Sequence, residues 1–189
     1  MPSTEPGSEG ERPRPPGARE ASSPDLLSAV FQMAYARLRP RSLLAAPLAA
    51  ARWLERVDAR ITRRVVGIDP DMERVALARR RYRHLGAALE VYRADALEAR
   101  LQPEGDFDLV LVALPVDGLA PEPLAALLAG WVAPGGACAI AGPGDPEDGG
   151  ALASLLARCG MRRAGSFGAR QAGAAPLRVT LLRSPGRAK

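Results

Sequence analysis

The stretch Phe107–Ala113 (FDLVLVA) is apolar at almost every position, with little alternation between apolar and polar residues. A strand covered on both faces has this pattern, because neither side of its pleat meets water. Shorter runs of the same kind stand at Ser42–Ala46, Arg64–Ile68 (RVVGI), Leu89–Tyr92 and Ala137–Ala141. Between them the apolar period lengthens from two to about 3.6 residues, the spacing of a helix with one buried face. Val75, Ala78, Tyr82 and Leu85 share such a face on a helix that runs through Arg83, with Asp71 placed to cap it. Helices are also predicted over Ala49–Arg60, Pro123–Val132 and Ala151–Cys159. Another begins near Asp25, capped by Ser23 or Asp25, and carries the stripe Leu26, Leu27, Val30, Met33, Ala34 and Leu38 until Pro40 stops it. The last two runs, Arg163–Ala169 and Leu177–Leu182, have no helix between them and suit an antiparallel hairpin.

Strands alternating with helices predict an α/β domain with a doubly wound, mostly parallel sheet and helices on both faces. The final pair predicts a C-terminal antiparallel hairpin at its edge. This domain is expected over residues 25–185. Residues 1–24 are rich in Pro, Gly, Ser and Glu and carry too little apolar surface to offset the entropy of ordering them, so they read as a disordered tail.

Composition adds little to this picture. Apolar residues make up 47% of the chain and aromatic residues only 4%, so Leu, Val and Ala must supply most of the core. The formal charge of +5 attracts anions without naming one. Arg63, Arg64, Arg74, Arg79, Arg80, Arg81 and Arg83 read either as a solvated face or as a patch for RNA, DNA or an anionic small molecule. No aromatic residues are interleaved as stacking platforms, which weighs against single-stranded nucleic acid. Cys138 and Cys159 read as buried free thiols, and one histidine, His84, cannot build a histidine-rich metal site. His84 itself reads as an exposed residue at the end of a helix, and Trp53 and Trp131 as core or helix anchors. Met1–Arg14 lacks the apolar region of a signal peptide, and no apolar run is long enough to span a bilayer. A cytoplasmic protein is the expectation.

In an open parallel sheet, ligands sit beyond the carboxyl ends of the strands, where the strand order reverses. Asp69 closes the VVGID run, where a carboxylate can accept hydrogen bonds from a ribose diol. Asp95 follows the next strand, where it can bond an exocyclic amine on adenine. Leu114 and Pro115 follow FDLVLVA and face the approach of a substrate. Each aspartate alone reads equally as a turn or cap residue. Asp117, before Gly118, reads as a turn residue, and no general base is assigned.

The stretches VVGIDPDMERVALARRRY, VYRADALE, FDLVLVALPV and LLAGWVAPGGACAI, taken together, resemble class I S-adenosylmethionine-dependent methyltransferases. The resemblance covers nearly all of the chain after the tail. It implies a Rossmann-like sheet of about seven strands closed by a late hairpin. It also implies S-adenosyl-L-methionine as cofactor, with Asp69 on the ribose hydroxyls, Ile68 and Pro70 flanking the nucleoside, and Asp95 with Ala96 bordering the adenine. Ala113 and Leu114, with the segment through Val116, would line the methyl-transfer site. Pro134, Gly135 and Gly136 match a turn before the next strand.

One segment departs from the family. Where it carries an acidic residue and a glycine-rich loop against the methionine part of the cofactor, this chain has LLAAPLAAARWLERV. Ala45 stands at the acidic position, and Pro47, Ala49 and Ala51 stand at the three glycines. Glycine serves there through positive φ and close backbone approach, which alanine and proline deny. Two functional readings follow. Either the chain transfers a methyl group to an unidentified acceptor, or it is a non-catalytic binding or scaffold protein that has lost the cofactor. The segment LPVDG also lacks the asparagine–proline–proline–aromatic pattern of enzymes that methylate amino groups of nucleic acids and proteins. A nicotinamide-dependent oxidoreductase is disfavoured by the absence of G-x-G-x-x-G.

Overall fold

The computed structural model describes residues 24–48, 52–93, 107–113, 121–143, 146–169 and 177–186. Helix α1 (Pro24–Leu38) opens on a proline, whose missing N–H is no loss in a first turn. It ends where Arg39 takes a φ of 45° and its N–H bonds Tyr35 O at 2.8 Å, just before Pro40. Its buried face runs through Leu27, Val30, Phe31, Ala34 and Tyr35. Met33, expected in that stripe, is 60% exposed. The helix is turned so that its two aromatic side chains meet Trp53, which carries Met33 off the face.

The remaining elements are β1 (Ser42–Ala46), β2 (Arg64–Asp69), α2 (Met72–Arg81), β3 (Leu89–Arg93), β4 (Phe107–Ala113), α3 (Pro121–Trp131), β5 (Val132–Pro143), α4 (Pro146–Arg158), β6 (Arg162–Ala169) and β7 (Leu177–Arg183). One seven-stranded sheet has the order β3-β2-β1-β4-β5-β7-β6. All neighbours are parallel except those of β7, which runs antiparallel to both β5 and β6. The doubly wound sheet and the terminal hairpin are therefore as the pattern predicts. β1 and β4 are the pair at which the winding reverses. Both are buried on each face, which explains their unbroken apolar runs. One face packs on α1 and α2 through Leu43, Val65, Val75, Ala78, Leu109 and Leu111. The other packs on α3 and α4 through Leu44, Val66, Val110, Val112, Leu128 and Leu156.

Helix α4 begins at Pro146 rather than at the expected Ala151, and three further elements differ from expectation. The helix expected to reach Arg83 stops at Arg81, and a short 3-10 helix (Arg83–Ala88) follows, kinked at Gly86. β5 starts at Val132 and runs on to Pro143. The Pro134–Gly136 turn is a register shift inside it, opposite the Phe107/Leu109 irregularity. A Cβ on Gly136 would stand 2.8 Å from Phe107 O and 2.9 Å from Ala133 O, so the two backbones need a glycine there.

The third difference matters most for the site. The helix expected over Ala49–Arg60 is, in its described part, a five-residue 3-10 helix (Arg52–Arg56). Asp58 ends it. Its backbone carbonyl accepts from the N–H groups of Ile61 and Thr62, and its carboxylate accepts from Arg60 N–H at 2.8 Å. This part of the connection is fastened to α1 instead. Trp53 meets Phe31 edge-on at 6.5 Å and Tyr35 at 5.5 Å between ring centres. The Tyr35 hydroxyl accepts from Asp58 N–H at 3.2 Å and shares a hydrogen bond with the Thr62 hydroxyl. That hydroxyl donates to Pro40 O at 2.7 Å, so the buried Thr62 is satisfied.

Candidate functional site

The parallel strands deliver Ala46, Asp69 and Ala113 to one edge of the sheet, the edge at which ligands sit in open parallel sheets. Asp95, Ala96 and Leu114 lie outside the described residues, as do Pro115 and Asp117. Ala49 and Ala51 lie outside them too.

Ala45 is paired with Gly67 on one side and Leu111 on the other, and it is buried. The chain leaves β1 through Pro47 into Leu48, whose side chain turns in and is 3% exposed. It packs over Gly67 of β2. A Cβ built on Gly67 would meet Leu48 Cγ at 2.7 Å and Cδ1 at 2.8 Å, closer than carbon atoms approach. Leu48 thus fills volume that only a glycine strand residue leaves open. In the sequence the sign of this contact is a glycine inside a β-branched run, and its partner could not be read from spacing.

Asp69 is fully buried rather than presented to solvent. Its Oδ1 accepts the Asp71 N–H at 3.0 Å, an i to i+2 turn that draws the carboxylate back toward the chain. Asp71 then caps α2, accepting from Glu73 N–H at 2.8 Å and Arg74 N–H at 3.4 Å. The two aspartates together steer the exit of β2 into α2. Pro70 is exposed beside them, and Met72 is 54% exposed, a neighbour that the sequence reading left out. Ile68 is buried in the core on the α3 and α4 side, whereas Ala113 ends β4 on the α1 side.

Four of the seven clustered arginines make side-chain contacts. The Arg79 guanidinium donates to Val91 O at 2.8 Å and ties α2 to β3. Arg64 pairs with Glu90 at 2.9 Å and lies over the Phe107 ring at 5.2 Å. That hydrogen bond from Arg64 lowers the Glu90 pKa, helped by the Tyr92 hydroxyl at 2.8 Å. Arg74 pairs with Asp71 at 3.3 Å, and Arg81 pairs with Glu55. Cys138 is buried, and desolvation pushes its thiol up to about 12. Cys159, expected to be buried, is exposed just past the last turn of α4. Among the described residues no cluster of His, Cys, Asp and Glu could hold a metal ion. No described helix is long and apolar enough to cross a membrane.

A family model described as "Methyltransferase domain" matches residues 48–136, just under half of the chain. No curated protein sequence matches. Among solved structures, the N-methyltransferase NodS from Bradyrhizobium japonicum WM9 superposes with a TM-score of 0.69 at 16% identity, over 85% of this chain and 95% of that one. NodS has also been solved with S-adenosyl-L-homocysteine, with a TM-score of 0.68 at 15% identity, over 85% of this chain and 86% of that one. A structure described as a putative methyltransferase from Pseudomonas syringae gives 0.61 at 22% identity, over 83% and 96%. The [4+2]-cyclase SpnF gives 0.66 at 14%, over 84% and 81%. The chain has the class I methyltransferase fold. That fold alone does not specify the reaction, as a cyclase among its neighbours makes plain.

Proposed function

We propose that this chain is an S-adenosylmethionine-dependent methyltransferase-like protein that holds its ligand mainly by the nucleoside half and acts on an acceptor not yet identified. The observation that carries this is Asp69, a carboxylate at the carboxyl end of β2 with the exposed Pro70 after it, on the edge of the sheet where this fold opens. A ribose diol replacing the Asp71 N–H contact would form charge-assisted hydrogen bonds to that carboxylate. Its place at the strand end supports the nucleoside half of the reading. The residues present do not fit the methionine end: Ala45 offers no carboxylate, and Leu48 stands packed on Gly67.

The second reading, a non-catalytic protein on the same fold, is favoured by that packing and by the full burial of Asp69. Calorimetric titration with S-adenosylhomocysteine separates the two. Saturable binding at up to about millimolar ligand, weakened at least about tenfold in Asp69→Asn, supports the nucleoside site. No saturable binding in that range rejects the methyltransferase reading in favour of the second. Equal binding by D69N places the ligand elsewhere.

A further inference from the structure

A cavity of about 320 Å³ lies between the Arg52–Arg56 turn and α2. Its apolar surface comes from Leu48, Ala78, Tyr82 and Leu77. Leu77 is 50% exposed on a helix otherwise rich in arginine, and the core makes no use of it. Arg52, Arg74 and Arg81 complete the lining, from both sides of the cavity, and among the described residues no acidic one lines it.

We propose that this cavity is a binding site for a small anionic amphiphile, a molecule with one carboxylate, sulfate or phosphate head and a short apolar body. The site goes beyond the nucleoside reading and does not depend on it. Three guanidiniums around an apolar floor match such a ligand at both ends, and the volume is in the range of small-molecule pockets. Glu55 and Asp71 hold Arg81 and Arg74 through their Nε atoms, which aims the side chains while a guanidinium still carries more donors than one carboxylate can use. Burial raises the Tyr82 pKa, so the phenol stays protonated and adds no negative charge. Nucleic acid suits the site less well: the one aromatic ring in the lining is 4% exposed and presents no stacking face.

Titration of the full chain with octyl sulfate, in parallel with octyltrimethylammonium, tests the proposal without any nucleoside. The expected result is saturable one-to-one binding of the anion below about 5 mM and no saturable binding of the cation. Leu77→Glu places a carboxylate in the lining at a half-exposed position. It should weaken the anion at least about tenfold, with an unchanged thermal midpoint showing that the fold is intact. Arg74→Gln should weaken it in the same direction, and a short RNA oligonucleotide should not displace it. Equal binding of anion and cation, unchanged affinity in both variants, displacement by the oligonucleotide, or no saturable anion binding would each overturn the proposal. S-adenosylhomocysteine binding is measured separately, so either idea can fail alone.

Discussion

Leu48 and Gly67 occupy each other's space so closely that neither can change independently. Gly67→Ala inserts a methyl group against Leu48 and should destabilise the protein by about 1–3 kcal/mol. Leu48→Ala empties a buried site and should cost about 2–4 kcal/mol. The double variant should cost less than their sum, with a coupling of about 1–2 kcal/mol in urea unfolding. Simple additivity would mean that the two side chains do not touch. Asp69 yields a second test at this scale. A solvent-facing carboxylate could be removed at little cost, but this one is buried and accepts the Asp71 N–H. Asp69→Ala should therefore lower stability by about 1–3 kcal/mol. Asp69→Asn keeps an oxygen for the same turn and should lose clearly less. Equal losses in the two variants would show that charge, not the turn, is what the fold uses.

Among the elements, the connection between β1 and β2 depends most on a single residue. Its described residues form no long helix, and Trp53 ties them to α1 through Phe31 and Tyr35. Trp53→Ala should cost about 3–5 kcal/mol. Trp53→Phe should cost much less, because among the described residues the Trp53 Nε1 has no partner to lose. A Phe variant as damaged as Ala would contradict that packing. The β2–β3 edge has a pH-dependent component. Arg64 lowers the folded pKa of Glu90 below its unfolded value near 4.3. Its contribution is then complete above about pH 5 and is lost as pH falls through the folded pKa. Both side chains are about one-third exposed, so Glu90→Gln should cost under about 1 kcal/mol at neutral pH. The cost should shrink further below pH 4. A cost that grows on acidification would reverse the assigned sign.

For the whole molecule, the two thiols report on global unfolding. Cys138 lies in the core beside β4 and β7, while Cys159 is exposed. One thiol per chain should react rapidly with an aromatic disulfide reagent in the native state. The second should react only at the rate of unfolding, and two fast thiols would show that the sheet opens locally at β5. The layered architecture around that sheet was largely legible in the residue pattern. FDLVLVA read as a strand buried on both faces, and the last two runs, with no helix between them, suited an antiparallel pair. Both signals are local, because burial on two faces and a short connection leave their mark on consecutive residues.

The sequence by itself determined the fold class, the position of Asp69 at a strand end and the absence of glycine between Ala45 and Val66. Each of these is a matter of residue type at a given place in the chain. Only the tertiary structure decided what fills the space. It placed Leu48 on Gly67, drew Asp69 into the turn with Asp71, replaced an expected helix by a Trp53-anchored 3-10 turn, and opened the arginine-lined cavity beside it. The helix expected from Ala49 failed for a related reason. Trp53, Leu54 and Val57 have helical spacing, but their burial is satisfied by α1, and Asp58 offers its backbone neighbours a turn instead. Periodicity records which residues leave water; it does not record which neighbour receives them, and in this domain that choice sets the shape of the site.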